Sequence, residues 1–194
     1  SLVAAVEVTF CRGRILFGVK LCVMRSLLSY IEDARKKGTA LGHFNVSDSN
    51  QFNAIVAAAR EVGVPVIIGV SEGERAWIGP RQAVALVESV RKEKFPVFLN
   101  ADHTYSVAKA EEAIDLGFDS VIIDGAKLPH EENARMAREC VAYAKKVGDH
   151  TLIEGELGYI GQSSQMHETL PEGVAVGEHM MTTSQELARF VKET

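Results

Sequence analysis

Phe95-Pro-Val-Phe-Leu-Asn-Ala-Asp-His-Thr104 is the stretch that decides the fold. Its apolar run, 95–99, follows Lys94 and ends in polar residues, which is how a strand buried on both faces reads. A carboxylate and an imidazole, Asp102 and His103, stand at its C-terminal end. In parallel α/β folds that end is where loops gather ligands and catalysts. An imidazole there can ligate a metal, and the adjacent carboxylate, on the opposite strand face, can move a proton. A purely structural reading is also open, with the histidine closing a turn and the aspartate capping the helix from Ser106.

Working outward, the same strand–helix alternation recurs. A helix over 27–37 has Leu27, Leu28, Ile31 and Ala34 on one face and Gly38 as its stop. A first strand spans 40–46, and Asp48 or Ser49 caps a helix over 51–62 that ends at Gly63. A second strand spans 65–71, and Pro80 opens a helix over 80–94. The third strand, 95–101, leads to a helix over 107–116, and the fourth, 120–125, to a long helix over 131–147. A fifth strand over 151–157, a polar loop and a helix over 184–192 complete the pattern. Strand, helix, strand without hairpins requires a parallel sheet with right-handed crossovers. No Gly-x-Gly-x-x-Gly follows the first strand, which disfavours a doubly wound dinucleotide fold. The fold class is therefore α/β, a (β/α)8 or TIM barrel with about five βα units present in residues 24–194.

The 194 residues are 46% hydrophobic and 24% charged, the balance of a water-soluble globular domain. A net charge of −5 gives no basic footprint for nucleic acid. Cys11, Cys22 and Cys140 are odd in number and unpaired in motif, so free thiols in a reducing, cytoplasmic setting are expected. Residues 1–23 are apolar but interrupted by Arg12, Arg14 and Lys20, too short in any uncharged run to span a bilayer and without a clean period. They are treated as an N-terminal extension, with Met24 resembling a natural start.

The strand ends supply a coherent polar set: His43 and Asn45, Ser71 and Glu72, Asn100, Asp102 and His103, Asp124, then Glu154 and Glu156. At the tops of neighbouring barrel strands such residues converge on one pocket. Glu154 and Glu156 share strand parity, and carboxylates with a histidine nearby make a plausible divalent-metal site. The structural alternative ties them to Lys or Arg inside the barrel, but a carboxylate inside an apolar strand is costly without a function.

Five segments carry a resemblance. They are Gly42-His-Phe-Asn-Val-Ser-Asp48, Asn50-Gln-Phe-Asn-Ala-Ile55, Asn100-Ala-Asp-His-Thr104, Asp119-Ser-Val-Ile-Ile-Asp-Gly125 and Ile153-Glu-Gly-Glu-Leu-Gly-Tyr-Ile-Gly161. In this order they resemble the N-terminal part of the class II, zinc-dependent ketose-bisphosphate aldolases, the fructose- and tagatose-bisphosphate aldolase family. The resemblance implies a lyase of carbohydrate metabolism and glycolysis. Its reaction is reversible aldol cleavage of a ketose 1,6-bisphosphate, fructose 1,6-bisphosphate foremost, to glycerone phosphate and an aldehyde phosphate. It implies Asp102 as the catalytic acid/base, His103 as a zinc ligand and Glu156 as a metal-site carboxylate. Asp124 would touch an alternative metal position, and Asn45 and Ser71 would contact substrate. It further implies Zn2+, with room for a second divalent or monovalent cation, a phosphorylated ketose as partner, and a homo-oligomer, dimer or tetramer, without nucleic acid or membrane.

Negative charge develops on the ketose oxygen during cleavage, which a Lewis acid stabilises while Asp102 handles the C4 hydroxyl proton. A Schiff-base rival would choose Lys127 but leaves the Asp-His pair and the glutamates without a role. Where family members carry paired acids, this chain reads Gln162-Ser-Ser-Gln-Met-His167, with Glu168 a candidate acid and His167 and His179 read as solvated. The family's other two zinc histidines and main phosphate loops fall beyond Thr194. An inactive partial barrel acting as an interaction protein is therefore the rival function.

Overall fold

In a computed structural model, residues 4–11, 14–21, 25–148, 150–158 and 182–194 are described. Two sheets are present. In the first, β1 (Ala4–Cys11) pairs antiparallel with β2 (Arg14–Leu21), Cys11 opposite Arg14. The expectation that this segment lacks a period is thus corrected. Val6, Val8 and Phe10 fall opposite Val19, Phe17 and Ile15, an alternation of period two.

The remainder alternates strand and helix: α1 (Leu27–Lys37), β3 (Gly42–Asn45), α2 (Ser49–Val62), β4 (Val66–Ser71), α3 (Glu72–Ile78) and α4 (Pro80–Arg91) come first. β5 (Val97–Thr104), α5 (Val107–Asp115), β6 (Ser120–Ile123), α6 (His130–Val147), β7 (Leu152–Gly155) and α7 (Ser184–Glu193) follow. The sheet order is β3-β4-β5-β6-β7, each pair parallel, so five consecutive βα units of a barrel stand side by side.

Local chemistry sets the boundaries. Asp48 wins the cap of α2, its carboxylate accepting from the amides of Asn50 and Gln51 at 2.8 and 2.9 Å. α4 is shorter than expected because Lys92–Lys94 turn off, Lys94 with φ 63°. β5 then starts late, at Val97, since Pro96 has no N–H to give; its carbonyl still accepts from Val66 N at 3.2 Å. The sequence pattern left residues 72–79 unassigned, and α3 fills them. Ser71 accepts from Glu74 N while the Glu74 carboxylate accepts from Ser71 N, a Ser-x-x-Glu capping box.

The pleat divides the sheet's residues by parity. Val66, Ile68, Val70, Leu99, Ala101, Val121 and Ile123 face the helices and form the core with Val56, Val87, Ile114, Ala137 and Cys140. Each such aliphatic side chain is buried and contributes about 1.5–3 kcal/mol. The opposite parity forms the inner face, where the Asn100 carbonyl oxygen accepts from Ser120 Oγ at 2.8 Å and its amide lies 3.1 Å from His43 Nε2. Tyr30 of α1 reaches that face near the strand N-termini, its ring 5.4 Å from Phe98. Among the described residues no helix is long and apolar enough to cross a membrane.

Candidate metal and acid/base site

β5, β6 and the residues after β7 deliver the polar groups to one place at the C-terminal end of the sheet. His103 Nδ1 lies 3.0 Å from Asp124 Oδ2 and 4.0 Å from Glu156 Oε2, and His103 Nε2 lies 4.0 Å from Asp102 Oδ1. One ligand atom each from His103, Asp124 and Glu156 falls within 4.8 Å of the others. An imidazole with two carboxylates is a donor set suited to a divalent metal that accepts mixed N and O ligands.

Strand geometry alone forbids this meeting, because consecutive residues point to opposite faces. β5 escapes by a bulge. Ala101 pairs with Val121 and Thr104 with Ile123, so Asp102 and His103 together oppose Ile122. His103 takes φ 39°, a left-handed backbone that costs a non-glycine residue about 1–2 kcal/mol. The expected placement of Asp102 and His103 on opposite faces is corrected by this extra residue. Such strain persists only where surrounding contacts hold it, and it clusters at functional sites.

Electrostatics agree with a cation site. Burial opposes protonation of His103, but the hydrogen bond with Asp124 and the charges of Asp102, Glu156 and Asp124 outweigh it and raise its pKa. Glu156 is also raised, first by burial and then by Asp124, Glu154 and Asp102, with His103 opposing. Carboxylates crowded in this way are relieved by binding a proton or a metal.

Asn45 donates from Nδ2 to Asp102 Oδ2 at 2.8 Å and to Glu74 Oε2 at 3.1 Å, so the amide fixes one carboxylate oxygen of Asp102. Ser71, next to Asp102 in register, uses its Oγ to cap α3. Glu72 turns away to Lys109 and the Tyr105 amide. Glu154 is exposed on β7, and it is Asp124 that completes the trio with Glu156. Lys127 is exposed on the turn after β6. The capping expected of Asp102 falls to Ser106, which accepts from Lys109 N. The segment Gln162–His167, Glu168 and His179 lie outside the described residues.

Two buried residues escaped the sequence reading. Arg75, on α3, sits under the β5 bulge; the Ser71-x-x-Glu74 signature could have placed its helix. Asn133, on α6, donates from Nδ2 to the Glu156 carbonyl at 2.7 Å, and nothing local in the sequence marks it.

Comparison with known proteins agrees with this architecture. The chain is 35% identical over 153 residues to a fructose-bisphosphate aldolase of Staphylococcus aureus, covering 77% of this chain and 52% of that protein. A fructose-bisphosphate aldolase of Geobacillus stearothermophilus is 37% identical over the same length, with the same coverage of each chain. The chain thus spans about half the length of the curated relatives it matches. Among solved structures, the YdjI aldolase of Escherichia coli superposes with TM-score 0.69 at 27% identity, covering 89% of this chain and 62% of that one. A structure described as a putative fructose-1,6-bisphosphate aldolase of Coccidioides immitis gives TM-score 0.60 at 26% identity, covering 66% and 50%. The family described as fructose-bisphosphate aldolase class-II matches residues 25–194, and with the barrel order and relatives above it fixes the assignment: the chain belongs to the class-II fructose-bisphosphate aldolase family.

Proposed function

We propose that this chain carries the acid/base and part of the metal site of a zinc-dependent aldolase. The reaction is reversible cleavage of a ketose 1,6-bisphosphate, fructose 1,6-bisphosphate foremost, to glycerone phosphate and an aldehyde phosphate. The observation that carries the reading is the approach of Asp102 to His103 beside Asp124 and Glu156 at the strand tops of a member of this family.

His103, Glu156 and Asp124 are the residues that would hold zinc, and their donor chemistry fits it. When bound, the metal supplies Lewis acidity toward the substrate's carbonyl oxygen. Asp102 takes the C4 hydroxyl proton during cleavage and returns it during condensation. The proton is held at Oδ1, because Oδ2 already accepts from Asn45. Asn45 and the backbone of the bulge keep that carboxylate oriented, so little rearrangement is needed at the moment of transfer.

A coupled triose-phosphate assay on the purified protein, with and without chelator, tests this reading. Cleavage should disappear on chelation and return with zinc, and borohydride with substrate should trap nothing. Cleavage that survives chelation and leaves a covalent adduct on Lys127 would replace the metal reading with a Schiff-base one.

A further inference from the structure

The meeting of Asp102 and His103 depends on the bulge, and the bulge leaves polar backbone to be satisfied. Ala101 and Thr104 resume pairing on either side of the two extra-faced residues, and His103 stays left-handed between them. In the interior a freed carbonyl needs a donor. The donor is the guanidinium of Arg75.

Arg75 reaches the bulge from α3, which follows β4 directly. Its Nη1 donates to Val70 O at 2.5 Å and to Asp102 O at 3.2 Å, and its Nη2 donates to Thr104 Oγ1 at 2.8 Å. Thr104 Oγ1 in turn donates to Ala101 O at 3.4 Å, which closes the loop of backbone from 101 to 104. The three acceptors of Arg75 thus lie on two neighbouring strands and straddle Asp102 and His103. A planar fork can serve them together, whereas an ammonium cannot.

Arg75 is only 7% exposed. Burial depresses the proton affinity of its guanidinium, against the charges of Glu72, Asp102, Glu112 and Glu74. A cation kept in such a place for packing alone gains little over an apolar side chain of similar size. Its hydrogen-bond partners here are two carbonyls and a hydroxyl rather than a carboxylate, and all three belong to the tops of β4 and β5. The adjacent residue of α3, Glu74, holds the amide of Asn45 that fixes Asp102 Oδ2. One short helix therefore grips Asp102 twice, by backbone and by side chain.

We propose that Arg75 is a positioning residue: by joining Val70 O, Asp102 O and Thr104 Oγ1 it holds the β5 bulge that lets Asp102 and His103 reach one pocket. This rests on the aldolase reading only for its catalytic readout, since the bulge and its strained histidine exist whatever the reaction.

The test compares Arg75→Met and Arg75→Lys with the unmodified protein by cobalt(II) titration, by steady-state cleavage of fructose 1,6-bisphosphate, and by crystallography. Arg75→Met should weaken cobalt binding by about 10–100-fold, the usual effect of losing a group that orients ligands. Turnover should fall by about 10–100-fold with KM changed less than about threefold, because a displaced acid/base harms the chemical step more than binding. Arg75→Lys should fall between the two. Its crystal structure and that of Arg75→Met should show His103 moving out of the left-handed region, fully in the latter.

A merely structural Arg75 would lower the melting temperature and leave cobalt affinity and turnover of the folded molecules within about twofold of the parent. That result overturns the proposal. If Arg75→Met does not fold, Thr104→Val removes one acceptor at constant shape. It should weaken cobalt binding by a smaller factor in the same direction, and unchanged binding overturns the proposal equally. If the unmodified protein neither binds cobalt nor cleaves the substrate, the aldolase reading fails alone. The crystal structures then decide about Arg75, and a bulge retained in Arg75→Met refutes it.

Discussion

Gly125→Ala should couple the core to the metal-site carboxylate in a measurable way. A Cβ on Gly125 would lie 2.6 Å from Asn133 Oδ1, 2.9 Å from its Cγ and 3.0 Å from its Cα. Gly125 itself is outside the left-handed region, so the cost is steric and not conformational. The Cα belongs to α6 and cannot retreat, so the Asn133 amide must swing away. That breaks the 2.7 Å hydrogen bond to the Glu156 carbonyl. Overpacking costs about 1–3 kcal/mol. Losing a buried hydrogen bond adds about 1–3 kcal/mol. The substitution should therefore destabilise by about 2–5 kcal/mol in urea denaturation, with an unchanged m-value. Asn133→Ala alone loses the same hydrogen bond but also removes Oδ1, a buried acceptor without a partner among the described residues, and should cost about 1–2 kcal/mol. In the double variant the obstacle to the new methyl is gone. Its cost should fall below the sum of the singles by at least about 1 kcal/mol. Additivity within about 0.5 kcal/mol would refute the account, since residues that do not compete for space or partners behave so.

Asp102→Asn should keep its metal and lose about two to four orders of magnitude in turnover; His103→Ala should lose the metal, and equal metal loss in both would make Asp102 an orienting group. Cobalt affinity should rise with pH. His103 and Glu156 are raised above 6.5 and 4.5, and a metal must displace their protons. In metal-free protein each raised group contributes stability fully below its unfolded value, lost as pH climbs through its folded one. The chelated form should therefore lose stability over that window relative to His103→Gln, and cobalt affinity that is flat from about pH 5 to about pH 8 would contradict both statements. Burial first, then Glu111 and Glu139, push the Cys140 thiol up to about 11. At pH 8 only about one thiol in a thousand would be thiolate, so peptide mapping should find Cys140 unalkylated in native protein and modified once unfolded.

The barrel order and the location of the chemistry are legible in the sequence because both depend on short-range pattern. Apolar runs of five or six residues, as at 66–70 and 97–101, bury both faces of parallel strands. Gly38, Gly63 and Gly148 end their helices with φ of 66°, 73° and 71°, conformations that a side chain disfavours. Polar residues left over at strand tops mark the ligand end of such a sheet, which singles out Asp102, His103, Asp124 and Glu156.

Which of those groups meet was decided only by tertiary structure. Strand periodicity alone places Asp102 and His103 back to back. Their approach needs a register shift against β6, set by pairing with residues some twenty positions away in sequence. Arg75 and Asn133 are likewise unreadable locally, since each looks like an ordinary polar position on a helix until the strands it serves pack beneath it. Sequence pattern fixes which face each residue would take in an ideal element. Departures from ideality are stabilised by partners distant in the chain, and no window of sequence contains both members of such a pair.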